Sequence, residues 1–466
     1  MIKDFCGIFA VSSKKKEYRA SYDIYNGLIA LQHRGQESAG IALAHGGRLR
    51  VEKGMGLVTN VIAEEKLGEM LGSAGIGHVR YSTTGGSVPQ NAQPFFMDIE
   101  GAEMAIAFNG NIANYYQLKA KLQRDGATFT TTTDTELIGK LFAHSYRKTR
   151  DYYAAAEHLT NELDGAYNLA FLFSNGDLVV MRDPMGFRPL VEGRLDEGFV
   201  FASETCALET IGVTAERDIE PGEVVVVRDG KRESRRIVKK KVSAHCMFEW
   251  IYFARSDSVI EGIPVWRVRE RLGEILAKLH PVKADIVVPV PDSGRSYATG
   301  YAEASGLPLR EGLVKNRYVF RTFIMPSQEL REKAVKAKLL PVRGIVEGKR
   351  VVLCEDSIVR GTTIRKIVRL LKQGGAREVH VRIGCPPIVS PCYMGIDFPT
   401  YEELAAANNS IAEIRRLIGA DSLGYMTQEG LMEAIGLGRD RLCMACLTGD
   451  YPLKGQPTKE SKLECC

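Results

Sequence analysis

The chain is 466 residues long, 26% charged and 45% apolar, a usage that excludes disorder over most of its length. Its net charge of +5 is small for this size and gives no reason to expect nucleic acid; no run reaches the roughly 18 apolar residues of a membrane span, so a cytoplasmic protein is expected. Ten cysteines, of which only Cys6 and Cys206 precede residue 240, are too few and too uneven for a disulfide scaffold, and point to catalytic thiols or a metal site.

Met1 to Phe5 is too short and polar for a secretory signal, which needs about 7 to 15 apolar residues after a positive start. From Cys6 to about residue 240 the chain is a succession of strand-length apolar runs: CGIFAV, GIALAHGG, GIGHVRYS, EMAIAFNGN, YNLAFLFSNGDLVVMRDP, GFVFASE and PGEVVVVRDG. Gly, Asn and Asp bound them, and SNGD and VRDG have hairpin turn chemistry. Helical spacing appears over 21–34, 114–125 and 134–146, the last with Thr133 or Asp134 as its cap. The pattern predicts layered antiparallel sheets with helices. The stretch 229–241, with seven Lys or Arg, reads as the seam or a solvated edge.

After the seam, ADIVVPVPDSG, GLPLREGLV, GKRVVLCEDSIVRGTT and EVHVRIGCPP each carry a short apolar strand. Helical patterns such as 265–279 and 363–373 alternate with them, which implies a mostly parallel sheet with ligands at the strands' carboxyl ends. The last sixty residues predict helices joined by a short strand, and 456–466 a flexible tail.

Residues 351–363, VVLCEDSIVRGTT, combine an apolar strand, the carboxylates Glu355 and Asp356, and a turn of Ser, Gly and Thr before a helix. Backbone N–H groups and hydroxyls at a helix N-terminus cradle anions, and paired carboxylates hold ribose hydroxyls or a hard cation; a strand ending in a polar turn is the plain alternative. The run resembles the phosphoribosylpyrophosphate loop of type I phosphoribosyltransferases. By that resemblance Glu355 and Asp356 face ribose and magnesium, with Glu355 standing where relatives usually carry Asp. Ser357, Ile358, Val359, Arg360, Gly361 and Thr362 wrap the 5'-phosphate, and Ser293 in VPVPDSG also meets the magnesium. Lys315, Arg317 and Arg321 form a basic loop suited to a polyphosphate, in which Phe320 replaces a usual glycine.

Cys6 is either a buried strand cysteine or an acyl-transfer nucleophile. Neither His33 nor His78 is an evident base for it. Removal of Met1 to Phe5 would supply one, because the new α-amine has a reference pKa of about 7.7 to 8.0. CGIFAV, LQHRGQESAG, GHVRYSTTG, NAQPF, FNGNIANY and TTTDTE together resemble the class II glutamine amidotransferase domain, an N-terminal-nucleophile hydrolase fold. With the transferase loop, the whole chain resembles the amidophosphoribosyltransferase family, in particular its form with a propeptide and an iron–sulfur cluster.

The resemblance implies a propeptide over 1–5, a glutaminase domain over 6–240 and a phosphoribosyltransferase domain over 241–455. It assigns Arg80 to the glutamine α-carboxylate, Asp134 to the α-ammonium, and Asn109 with the Gly110 N–H to the oxyanion hole. It also implies feedback inhibition by purine nucleotides and assembly as a homotetramer or homodimer. Tyr252, in EWIYFARSDS, is a relay candidate between active sites by the same resemblance, and a core aromatic as bare chemistry. Cys443 and Cys446 form a CxxC pair that redox, zinc and iron–sulfur sites all use; the resemblance adds Cys246 and Cys392 and selects a structural [4Fe–4S] cluster. Competing readings are another class II amidotransferase, or a non-catalytic regulator that binds phosphoribosylpyrophosphate or purine nucleotides.

Overall fold

In the computed structural model the described residues are 6–81, 86–99, 102–238, 242–316, 339–396, 398, 400–455 and 457. The leader, Arg317, Phe320, Arg321 and nearly all of the tail lie outside them.

The first half is a four-layer stack. One sheet has seven strands in the order Ala215–Asp218, Val191–Leu195, Gly198–Ala202, Gly7–Ser13, Ala74–Arg80, Ser38–His45 and Arg48–Met55. The other has six, in the order Lys231–Arg236, Glu223–Arg228, Leu178–Arg182, Gly165–Phe173, Ala102–Ile112 and Phe95–Ile99. All pairings in both are antiparallel. Alternation explains the layering: on Gly7–Ser13, Ile8 and Ala10 join Ala105, Ala107 and Leu172 between the sheets, while Phe9 and Val11 face the helix Ala20–Ala30. Helices Asp134–Thr149 and Tyr152–Glu162 cover the outer face of the second sheet through Leu137, Ile138, Phe142 and Leu159. Much of the charged stretch expected as a seam is the edge strand Lys231–Arg236, where rows of Lys and Arg discourage further strand pairing.

The second half centres on four parallel strands, Ile286–Pro289, Arg350–Glu355, Glu378–Ile383 and Ser422–Tyr425. The predicted helices are present as Val265–Leu279 and Thr362–Gln373. GLPLREGLV does not add a full strand to this sheet: Leu309 makes one bridge to Val287, and Leu313–Lys315 pairs with Leu339–Pro341 in a separate ribbon. Pro308 lacks the N–H that a continuous ladder would need there. Ala166, Met185 and Phe187 of the first half share one apolar core with the second, and Cys246 N–H donates to Phe187 O at 3.0 Å. No helix among the described residues is long and apolar enough to cross a membrane.

Candidate active site

Strand register builds the first site. Gly7 pairs with Val79 in the antiparallel ladder, so Cys6 falls beside Arg80, and the Cys6 thiol donates to Tyr81 O at 3.6 Å. Burial pushes this thiol up to about 11, only partly offset by the Tyr81 contact and the Arg80 charge. His78 is no base for it: burial lowers the ring to about 3, and its Nε2 lies 2.8 Å from Phe108 O. His33 Nε2 faces Glu204 at 2.7 Å instead.

Arg80 is buried and its Nη1 donates to Glu37 at 2.6 Å. Asn109 and Gly110 lie on Ala102–Ile112, opposite Asn168 and Tyr167. Asn109 is fully buried; its Nδ2 makes one long bond to Ser203 Oγ at 3.4 Å, and its Oδ1 has no partner. Asp134 opens the helix Asp134–Thr149 and its buried Oδ2 is likewise unpartnered. Burial pushes its carboxyl up to about 7, against the pull of Arg80. Buried acceptors without donors are rare, and Asn109 Oδ1 and Asp134 Oδ2 are two of them.

The second site lies at the carboxyl end of the parallel sheet. Glu355 ends its strand, accepts from Ser293 Oγ at 2.9 Å and from Asp356 N–H at 3.1 Å, and is held well above the usual carboxylate range by burial and by Asp356. Ser357 Oγ donates to Asp356. The turn then runs through Ile358 and Val359 to Gly361, and the helix starts at Thr362. Arg360, expected to wrap phosphate, is paired with Glu403, and Val359 O accepts from Ala405 N–H at 2.8 Å. Lys315 Nζ lies 2.9 Å from Asp292.

The two halves touch near both machineries. Asn111 Nδ2 donates to Tyr393 O at 2.9 Å. A Cβ on Gly395, whose φ is +95°, would sit 3.1 Å from the Gly110 carbonyl carbon, so this backbone approach requires glycine. Tyr252 lies in the segment Glu249–Phe253, half-buried, with its ring centroid 5.3 Å from that of Phe253.

The iron–sulfur expectation is overturned. Among the described residues no group of three or more His, Cys, Asp and Glu is disposed to hold a metal ion, so the [4Fe–4S] cluster and the iron–sulfur-containing form are not supported. Cys246, Cys392, Cys443 and Cys446 gather in one apolar core, with Cys246 and Cys443 as strand partners. Burial pushes Cys246 up to about 12, and burial with the neighbouring sulfurs holds Cys446 well above the usual thiol range. Cys392 Sγ accepts a backbone N–H from Met394 at 3.4 Å. Sequence spacing places the four cysteines in one half and says nothing of their mutual geometry.

Sequence reasoning gave no role to Arg34, Glu37, Arg188, Ser203, Glu204 or Glu249, all buried or nearly so beside these sites. The available signal was a charge set in an apolar run, as Glu249 is between Phe248 and Trp250, because such a charge needs a buried partner.

Layered antiparallel sheets followed by a mostly parallel-sheet unit are the architecture of a glutamine amidotransferase domain joined to a phosphoribosyltransferase domain. The glutamine amidotransferase domain family matches residues 78–210 and the phosphoribosyl transferase domain family residues 267–385. The chain is 49% identical to the amidophosphoribosyltransferase of Methanocaldococcus jannaschii, over 96% of this chain and 97% of that one. It is 45% identical to that of Bacillus subtilis, over 97% and 94%. A solved Bacillus subtilis glutamine phosphoribosylpyrophosphate amidotransferase, complexed with ADP and GMP, superposes with a TM-score of 0.88 at 44% identity, over 96% of this chain and 98% of that one. The chain belongs to the amidophosphoribosyltransferase family of purine biosynthesis, enzymes that join a glutaminase to a phosphoribosyltransferase.

Proposed function

We propose that Cys6 is the glutaminase nucleophile and that residues 355–362 carry the phosphoribosyl substrate. The Cys6 thiolate attacks the glutamine amide carbon, and the oxyanion is met by the Asn109 amide and the Gly110 N–H. Arg80 takes the α-carboxylate in a charge-assisted pair, and the unpartnered Asp134 Oδ2 takes the α-ammonium. The Cys6 α-amine takes the thiol proton and delivers it to the amide nitrogen as the C–N bond breaks, ammonia leaves, and water hydrolyses the thioester to glutamate. Ammonia then attacks C1 of phosphoribosylpyrophosphate, expelling pyrophosphate to give 5-phosphoribosylamine.

At the second site the turn N–H groups face the 5'-phosphate and the two carboxylates face the ribose. Magnesium is a hard cation that takes oxygen ligands, mostly from substrate phosphates and water. The oxygen set of Ser293, Glu355 and Asp356 fits it, since Glu355 is buried against a second carboxylate and accepts from Ser293 Oγ at 2.9 Å. Lys315, with Arg317 and Arg321, supplies positive charge toward the diphosphate. Purine nucleotides as feedback inhibitors belong to the same reading, in line with the ADP and GMP with which the Bacillus subtilis enzyme is complexed. Assembly as a homotetramer or homodimer and a cytoplasmic location belong to the same reading.

The observation that carries the reading is the ladder that sets Cys6 beside Arg80. An internal Cys6 has an amide nitrogen and a thiol pushed up to about 11; cleavage at Phe5–Cys6 replaces that amide with an amine able to take the proton. Steady-state kinetics test it: Cys6→Ala should lose glutamine-dependent synthesis by about a thousandfold or more and keep ammonia-dependent synthesis. Intact mass should lack Met1 to Phe5 in wild type and retain them in Cys6→Ala. Glutamine use by Cys6→Ala, or active enzyme that keeps its leader, would sink the assignment.

A further inference from the structure

Four charges that the proposed mechanism does not use are buried where the two halves join. Arg34 and Glu204 are fully enclosed, and Arg188 and Glu249 are nearly so. Arg34 forks onto Glu249, with Nη2 to Oε1 at 2.8 Å and Nη1 to Oε2 at 3.1 Å. Its Nη1 also donates to Glu204 Oε1 at 2.5 Å. Glu249 Oε1 accepts a second bond from Arg188 Nη1 at 3.3 Å, and Arg188 Nη2 holds Met394 O at 2.6 Å. Glu204 in turn accepts from Ser258 Oγ at 2.7 Å and from Arg255 N–H at 2.9 Å, both beyond the seam.

Two cations face two anions, so the cluster buries no net charge. Burial disfavours the Arg34 charge, and Glu249 with Glu204 more than offsets it. Burial would likewise protonate Glu204, and His33 with Arg34 holds it well below the usual carboxylate range. These pairings account for every charge in the cluster. Arg34 also makes a contact that neutralisation does not require: its Nε donates to the carbonyl of Cys6 at 3.2 Å. The turn that carries Arg34 is fastened to the glutamine pocket as well, because Glu37 N–H donates to Arg80 O at 3.0 Å and Glu37 pairs with the Arg80 side chain.

We infer that Arg34 is a positioning residue of the glutamine-hydrolysing step, through which Glu249 of the phosphoribosyl half sets the place of the Cys6 thiol. The inference rests on Cys6 being the nucleophile. A guanidinium is planar, and its bidentate pair leaves it little freedom to rotate. Its two Nη donors follow Glu249, and its Nε fixes the carbonyl, hence the Cα, from which the thiol projects. A displacement of the segment Glu249–Phe253 is thereby transmitted to the reacting sulfur, where an error of about 1 Å costs on the order of a hundredfold in rate. Arg34 touches neither glutamine nor the phosphoribosyl group in this scheme; it acts through Cys6.

The test compares glutamine-dependent and ammonia-dependent synthesis in the full-length enzyme carrying Arg34→Lys, Glu249→Gln or Glu249→Asp. Arg34→Lys and Glu249→Gln should each lower kcat with glutamine about tenfold or more, keep the glutamine KM within about twofold, and leave ammonia-dependent synthesis within about twofold. The double variant should lose no more than the worse single one, because both break the same link. A merely structural cluster lowers both syntheses together, and that result overturns the inference, as does an unchanged kcat. Should a charge-altering variant fold poorly, Glu249→Asp keeps the charge balance and shortens the reach by one methylene, and the same split is read from it. Cys6→Ala run in parallel separates the two ideas: if it retains glutamine use the nucleophile reading has failed, whereas its loss alongside normal Arg34→Lys kinetics refutes only the positioning role.

Discussion

Arg80, Asn109 and Asp134 are each at most 5% exposed, and they stand on strands or at the first turn of a long helix. In the second half, Lys315, Arg360 and Thr362 are exposed, on a short ribbon and a turn. The contrast follows from what each site must recognise. A small zwitterion is held by a few charged side chains whose directions the strand pleat fixes in advance. A polyanion is met by backbone N–H groups in the turn after a parallel strand, and the side chains nearby, Arg360 on Glu403 and Lys315 on Asp292, have other partners to leave first. On the proposed reading, the first site is set in place by its sheets, and the second depends on side chains that leave Glu403 and Asp292.

Four substitutions or titrations bear on that contrast. The largest effect should come from Asp356→Asn, which replaces a buried carboxyl group beside Glu355 in the proposed ribose site. Ammonia-dependent pyrophosphate release should fall by about a hundredfold or more while glutamine hydrolysis continues, and equal loss of both would erase the separation between sites. Next, Asn109→Ala should lower the glutaminase kcat by about 10² to 10³ with little change in ammonia-dependent synthesis, as loss of one oxyanion donor does. A change confined to KM would move Asn109 from the reacting centre to substrate binding.

The third concerns pH. The Asp134 carboxyl sits at about 7 because burial favours its neutral form, and an α-ammonium requires the ionised one. Glutamine binding should therefore weaken as pH falls through 7, with KM rising by nearly tenfold per unit below it. Asp134→Asn should give a high KM with no such slope; a wild-type KM flat from pH 8 to 5 would contradict the assignment. The smallest effect belongs to Ser203→Ala. Its Oγ accepts from Ile8 N–H at 3.0 Å and steadies Asn109, a contribution of about 1 kcal/mol, so glutaminase activity should drop only about fivefold.

How legible each half was follows the same physics. The helix Val265–Leu279 repeats buried Val265, Val268, Leu272 and Leu276 at helical spacing, a local pattern that sequence displays directly. The loop 355–362 is contiguous, and so was found as a unit. Arg34, Glu204 and Glu249 come together across as many as 215 residues, and no local period marks such a meeting. The four cysteines show the opposite error: their identities were plain, but ligation depends on angles and distances that only the packed core decides.

The meeting of Gly395 with Gly110 bears on how such a chain can change over time. Neither position tolerates a side chain where the two backbones pass, and a Cβ on Gly110 would strike Ala166 O at 1.9 Å. A glutaminase half taken from a distant relative would therefore meet this transferase half along a surface shaped for another partner, with the Asn111 amide left to find a carbonyl other than that of Tyr393. The halves are inherited as a matched pair, and drift on one side of the seam is constrained by what the other side already is.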